Sequence, residues 1–400
     1  MQHPISQRIQ NLSESQTIAM SQRSAELKEA GKDIINLSVG QPDFNTPEHI
    51  KQAGIQAIKD NYSSYPPVPG YKDLREAIAN KLKTENKLDY SFDQIIVSAG
   101  AKHSIANALL SIVNKGDEVI VPAPYWVSYV EQVKLAEGKN VIIPTSIDNN
   151  FKLTPRQLKE AITPRTKVLM LCSPSNPTGS IYSKEELKEI ADIIADSEND
   201  IYVISDEIYE YINFEGKHES IAQFDNIKDH TIIINGVSKG YAMTGWRIGY
   251  MAAPKEIASA CGKLQGQVTS GASSIAQRAS LTAITAENDF TREMNEAFKR
   301  RRDLVLEALE QIKGMKKYTP YGAFYLFPNV SYYFGKSNGT VTIENDQDLC
   351  FYLLDEANVA LVPGSAFGSG ENIRISYAAS DDELKEALSR INVALDKLDG

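Results

Sequence analysis

Cysteine is scarce: Cys172, Cys261 and Cys350 stand far apart in 400 residues, too few and too scattered for a disulfide framework or a zinc site. That usage suits a reducing compartment. No run reaches the roughly 18 apolar residues of a spanning helix, and the opening stretch MQHPISQRIQNLSESQT has no apolar core of a leader. The expected location is cytoplasmic, with no membrane partner. Basic excess is missing as well: 42 Lys+Arg against 52 Asp+Glu leave a formal charge of −10. Such a chain has no general attraction for phosphate backbones, so no nucleic acid partner is expected. Lys299, Arg300, Arg301 and Arg302 do cluster, on a helical pattern that reads as a solvated or capping face. Also absent are G-x-x-x-x-G-K-S/T, a G-x-G-x-x-G opening a helix, and H-E-x-x-H, together with internal repeats and low-complexity linkers.

What is present is an ordinary globular composition, 42% apolar and 24% charged, long enough for two to three domains at about 150 residues each. Apolar blocks at 95–98, 118–121, 168–172, 201–205, 231–235 and 246–252 alternate with helical patterns such as 102–113 and 184–195. Continuous Val/Ile runs separated by helices predict a mostly parallel sheet covered on both faces. The block at 246–252 follows its predecessor too closely for a helical crossover, so it is expected to pair antiparallel. After about residue 290 a long charged helix (292–311) leads into 322–327, a helix near 347–357, then 359–362, 373–377 and a closing helix from Asp381. The expected fold is therefore α/β: a three-layer αβα large domain over 48–290, and a smaller α+β domain built from 1–47 together with 291–400. The helix around 21–30 and the strand at 34–39 are expected to pack on that smaller domain.

One catalytic pattern matches literally. Gly236-Val237-Ser238-Lys239-Gly240 is G-x-S-x-G after a strand, the elbow of a serine hydrolase. Its usual order needs a histidine after the serine, yet His3, His49, His103, His218 and His230 all precede Ser238. The segment reads better around its lysine. Lys239 follows the end of an apolar strand, where doubly wound sheets bind ligands, and a partly desolvated amine there can form a Schiff base with an aldehyde. Asp206 closes another strand, where a buried carboxylate needs a cationic partner such as a protonated pyridine nitrogen. Tyr209, three residues on, can offer a phenol to the same ligand. Asn176 lies between Pro174 and Pro177 after a third strand. Gly100-Ala101-Lys102 opens a helix whose backbone N–H groups can meet an anion, Arg247 can add a guanidinium fork, and Trp126 offers a flat face. Phosphate cradle, amine, carboxylate and aromatic lid together describe a pyridoxal phosphate site.

The motif Gly236-Val237-Ser238-Lys239-x-x-Ala242-Met243-x-Gly245-x-Arg247-Ile248-Gly249 is the densest of a set. Ser175–Gly179 (SNPTG), Asp206-Glu207-Ile208-Tyr209 and Asn372-Ile373-Arg374-Ile375-Ser376-Tyr377 complete it in order. Over nearly its full length the chain resembles the class I aminotransferases of the fold-type-I pyridoxal 5′-phosphate group, most of all the bacterial-type aspartate aminotransferases. The resemblance implies transamination between aspartate, or a related amino acid, and 2-oxoglutarate in two half-reactions. Prephenate or aromatic substrates, or a lyase on the same fold, are the alternatives it leaves open. It implies that Lys239 is joined to the cofactor's aldehyde and shuttles a proton from the substrate Cα. It implies that Asp206 holds the ring nitrogen, that Tyr209 and Asn176 bond O3′, and that Trp126 stacks on the ring. Ser238, Arg247 and the backbone of Gly100, Ala101 and Lys102 are implied to bind phosphate. Arg374 is implied to clamp the substrate α-carboxylate, assisted by the backbone of Gly40, with Trp126 and Asn176 also lining the substrate. Tyr65 is implied to reach the phosphate of a neighbouring subunit, which makes the expected assembly a homodimer with shared sites. Ser15, Thr17 and Lys102 match bacterial-type positions able to bind a distal carboxylate, Arg278 falls near a region that supplies one elsewhere, and Gln41 stands where many relatives carry glutamate.

Overall fold

The structure is a computed structural model that describes residues 4–13, 16–287 and 289–399. Its strands, in chain order, are β1 (Ile35–Asn36), β2 (Ile95–Ser98), β3 (Glu118–Ala123), β4 (Lys139–Pro144), β5 (Thr166–Cys172) and β6 (Tyr202–Asp206), followed by β7 (Thr231–Gly236), β8 (Gly249–Ala252), β9 (Tyr325–Leu326), β10 (Val359–Ala360), β11 (Val362–Pro363) and β12 (Ile373–Ser376). Seven of them form one sheet in the order β2-β8-β7-β6-β5-β3-β4. All neighbours are parallel except β8, which runs against both β7 and β2.

Period-two alternation explains why helices cover both faces. Val168 and Met170 of β5 turn to the layer with Ile105, Leu109 and Val133, whereas Leu169 and Leu171 turn to the layer with Leu187 and Ile190. The covering helices are amphipathic for the same reason. In Lys184–Ala195, Leu187, Ile190, Ala191 and Ile194 lie on one buried stripe, and Ser183 with Glu186 closes a capping box at its start. The α/β, three-layer expectation and its single antiparallel strand hold.

A second core gathers both ends of the chain. β1 pairs parallel with β10, Ile35 opposite Val359, while β11, β12 and β9 form a small antiparallel sheet. Around them pack Met294, Phe298, Val305 and Leu309 of the helix Phe290–Glu310 and Leu384, Leu388 and Ile391 of Asp381–Leu395.

Several expected elements come out differently. The strand expected from 246 begins at Gly249, because Trp246 closes a short 3₁₀ turn and Arg247 takes a left-handed φ of 56°. The block at 359–362 divides: Val359 and Ala360 pair with β1, then the chain crosses to pair Val362 with Arg374. Within 322–327 only Tyr325–Leu326 is strand, and within 34–39 only Ile35–Asn36. The edge strand β4 carries no uniformly apolar run, since its outer face is open to solvent. The basic cluster is also corrected. Lys299 and Arg300 are exposed, but Arg301 and Arg302 are buried, Arg301 against Asp43 and Asp381, Arg302 against Asp303 and the Pro320 carbonyl. No helix among the described residues is long and apolar enough to cross a membrane.

Candidate active site

Three parallel strands end side by side, and each delivers one polar side chain to the same place. β5 runs out through Cys172 into the turn that carries Asn176, β6 ends on Asp206, and β7 ends one step before the loop with Ser238 and Lys239. Opposite them the helix Ala101–Ile112 starts at Gly100, whose φ of 88° suits glycine. A Cβ on Gly100 would meet the Arg247 guanidinium, and one on Gly249 would strike the backbone nitrogen of Ala101. The missing side chains let the helix N-terminus and Arg247 converge on one spot. N–H groups and guanidinium there together make an anion site.

These elements enclose a cavity of about 350 Å³. All the expected site residues line it except Gly100, which lies just behind Arg247, and Tyr65, which is 93% exposed and elsewhere. Ser15 lies outside the described residues. Thr17 belongs to the helix Gln16–Glu29. Arg278 does not reach the cavity: it grips Asp73 through two bonds of 2.6 Å and lies over the Tyr71 ring.

Charge in the cavity is lopsided. Lys102, Lys239, Arg247 and Arg374 face it, against the single carboxylate of Asp206. Asp206 accepts a 2.6 Å bond from the Tyr129 hydroxyl, and burial lifts its pKa to about 6 despite that bond. Burial also pulls the Lys239 amine down to about 7, helped by the positive charges of Arg374 and Arg247. A neutral, nucleophilic amine is therefore available near neutrality. Lys239 Nζ donates to the Gly40 carbonyl at 2.5 Å. Partial desolvation and Arg247 likewise lower Lys102, whose ammonium sits 4.9 Å from the centre of the Trp126 ring.

Arg374 is 2% exposed, and its side-chain partners among the described residues are neutral. Nη1 donates to Asn176 Oδ1 at 3.0 Å, Nη2 to the Ser38 carbonyl at 2.6 Å, and Nε has no acceptor. Its Cζ lies 4.6 and 5.0 Å from the ring centres of Tyr325 and Phe367. A guanidinium held rigid and short of acceptors is built for a planar anion.

The class I and II aminotransferase profile matches residues 32–391. The chain belongs to this family. It is an aminotransferase. A bifunctional aspartate aminotransferase and glutamate/aspartate-prephenate aminotransferase of Petunia hybrida is 47% identical over 396 residues, 98% of this chain and 82% of the relative. The solved aspartate aminotransferase of Rhizobium meliloti superposes with a TM-score of 0.96 at 43% identity, each chain covered completely. That of Thermus thermophilus with maleate gives 0.92 at 40% identity over 98% of this chain and all of the other.

In this aminotransferase the hydrolase pattern loses its remaining support, since no histidine lines the cavity beside Ser238. His218 and His230 pair instead with Glu207 and Asp200. Two residues escaped the sequence. Tyr129 bonds Asp206, and the Tyr325 hydroxyl lies 2.8 Å from that of Tyr209, where a Cβ on Gly40 would also touch it. The i,i+3 spacing of Trp126 and Tyr129 was the available signal for the first. For Tyr325 there was only a tyrosine in a short apolar block.

Proposed function

We propose that this aminotransferase carries pyridoxal 5′-phosphate on Lys239 and transfers the amino group of L-aspartate to 2-oxoglutarate. The observation that carries the reading is the make-up of the cavity, four basic side chains (Lys102, Lys239, Arg247 and Arg374) around one carboxylate. That donor set fits the cofactor. A doubly charged phosphate suits Arg247, Ser238 and the helix N-terminus at Gly100, Ala101 and Lys102, a protonated ring nitrogen suits Asp206, and a flat ring suits Trp126.

The cofactor supplies, when bound, an aldehyde that joins amines and a protonated ring that accepts electron density. Asp206 would keep the ring nitrogen protonated, and Tyr129 orients Asp206 by its hydroxyl bond. Tyr209 and Asn176 would hold the cofactor's ring hydroxyl. Lys239 Nζ, neutral at working pH, takes the proton from the substrate Cα and returns it on the other side of the transfer, an acid–base contribution of about 10²–10⁴-fold. Arg374 clamps the α-carboxylate with Gly40 and Asn176 beside it, and holds the reacting Cα against Lys239.

Lys102, above Trp126, is left to attract the distal carboxylate of a dicarboxylic substrate. Prephenate is the second reading. It is a dicarboxylate, and the Petunia relative's name includes it. We further assign the division into 48–290 and 1–47 with 291–400, a homodimer in which Tyr65 serves the neighbouring site, and a cytoplasmic location. These rest on the separate cores, on the exposure of Tyr65, and on three free cysteines. The test is a half-reaction screen. Aspartate and glutamate should convert the bound chromophore fastest, and borohydride should leave a pyridoxyl mass on the Lys239 peptide. A colourless protein without that mass refutes the assignment.

A further inference from the structure

Behind the sheet, on the side away from the cavity, lies a buried polar cluster with no place in the chemistry above. Glu207 follows Asp206 directly, and the extended chain turns their side chains to opposite sides. Glu207 is 1% exposed. Its Oε1 accepts bonds from Ser205 Oγ at 2.9 Å and Ser220 Oγ at 2.6 Å, and its Oε2 from His218 Nε2 at 2.9 Å. The Glu207 backbone nitrogen continues the ladder to the Ile234 carbonyl of β7. One turn on, Glu210 is held by Lys81 of the helix Lys72–Thr84 and by Asn86, just past that helix's end, at 3.0 Å. The turn bearing Asp206 and Tyr209 is thus fastened from its reverse side by two acids.

We propose that His218 and Glu207 form a positioning pair for Asp206, fixing the turn after β6 and neutralising the anion adjacent to Asp206 in the chain. The inference rests on the reading of Asp206 as the partner of a cationic ring nitrogen. Glu207 is the nearest like charge, and it works to raise the Asp206 pKa. A cation on Glu207 relieves that pressure without entering the cavity. Burial pulls His218 down, but the charge and bond of Glu207, with Glu210, outweigh it and hold its pKa above the ordinary value. Lys81 opposes them, and the buried phenols of Tyr90 and Tyr250 are further titratable neighbours of Glu207, both pushed up by burial. With this arrangement the carboxylate facing the ligand stays ionised while a second carboxylate stands directly behind it.

The test is pyridoxal 5′-phosphate affinity of the cofactor-stripped full chain at two pH values. His218→Gln keeps a hydrogen-bonding group and removes the charge. It should weaken binding about tenfold near pH 6, where Asp206 then takes up a proton, and less than about threefold near pH 8. Glu207→Gln removes the anion itself and should bind at least as well as wild type near pH 6. The double variant should return to within about threefold of wild type at both pH values, since neither charge is left. Equal loss at both pH values for His218→Gln, or a double variant as weak as that single one, overturns the proposal. Should His218→Gln fail to fold, Glu207→Gln and the double variant decide it on the same criteria. A wild-type chain that neither binds the cofactor nor gains a pyridoxyl mass on Lys239 overturns the functional reading as well, an outcome separable from these.

Discussion

Arg301 and Arg374 are both buried, and both sit where the two ends of the chain meet, yet they are treated in opposite ways. Arg301 has two carboxylate partners, Asp43 taking two bonds of 2.7 and 2.8 Å and Asp381 a third of 3.3 Å. Arg374 receives only neutral acceptors and keeps one nitrogen without any. A buried cation whose partners are in the chain belongs to the fold. One whose partner is absent marks where a ligand goes. The same contrast separates Arg278, clasped by Asp73, from Arg247, which holds only backbone carbonyls.

The sharpest way to break this contrast is at the amine inside the unpaired group. Lys239→Ala should lower turnover by about 10⁴-fold or more with the fold intact, measured by coupled assay and circular dichroism. Near-wild-type rates would remove Lys239 from its role. Next comes the pair itself. Arg374→Lys should lower kcat/KM about 10²–10³-fold with unfolding free energy unchanged, because an ammonium cannot replace the fork. Arg301→Gln should do the reverse, costing about 3 kcal/mol of stability while leaving chemistry within about tenfold. If both variants lose activity and stability alike, the distinction between the two arginines fails.

A smaller effect concerns Asp206. Its raised pKa means that the folded, unliganded chain holds a proton more tightly than the unfolded one between the ordinary carboxyl value and about 6. Stability of that state therefore declines as pH rises through this window. Asp206→Asn should stabilise the cofactor-free protein by about 2 kcal/mol near pH 8, a gain that fades below about pH 5. A destabilised variant at pH 8 would contradict the burial penalty. Smallest is a shift in a titration. Trapping of an aldehyde on Lys239 should be half-maximal near pH 7, the value to which burial lowers that amine, and level off above it. A yield still climbing toward pH 10 would show an ordinary lysine.

The cavity's strand-end residues were legible because each ends or closely follows a largely apolar run: Asp206 after 201–205, Lys239 shortly after 231–235, Asn176 shortly after 168–172. Parallel strands buried on both faces leave no other reason for a charge there. The pairing of Arg301 was not legible, since its carboxylates lie at positions 43 and 381 and nothing local announces them. Tyr325 was hidden similarly, as its hydroxyl acquires meaning only beside Tyr209 and Gly40. Strands of two residues, such as β9 to β11, give period-two alternation too little length to register. Edge strand β4 was missed because solvent, rather than a helix, covers much of it.

The pairing of Ile35 with Val359 has a bearing on biosynthesis. A ribosome delivers Ile35 of β1 324 residues (359 − 35) before its hydrogen-bonding neighbour Val359. The seven-stranded sheet can assemble in the interval from segments already emerged, whereas β1 must wait unpaired, its backbone satisfied by water or a chaperone.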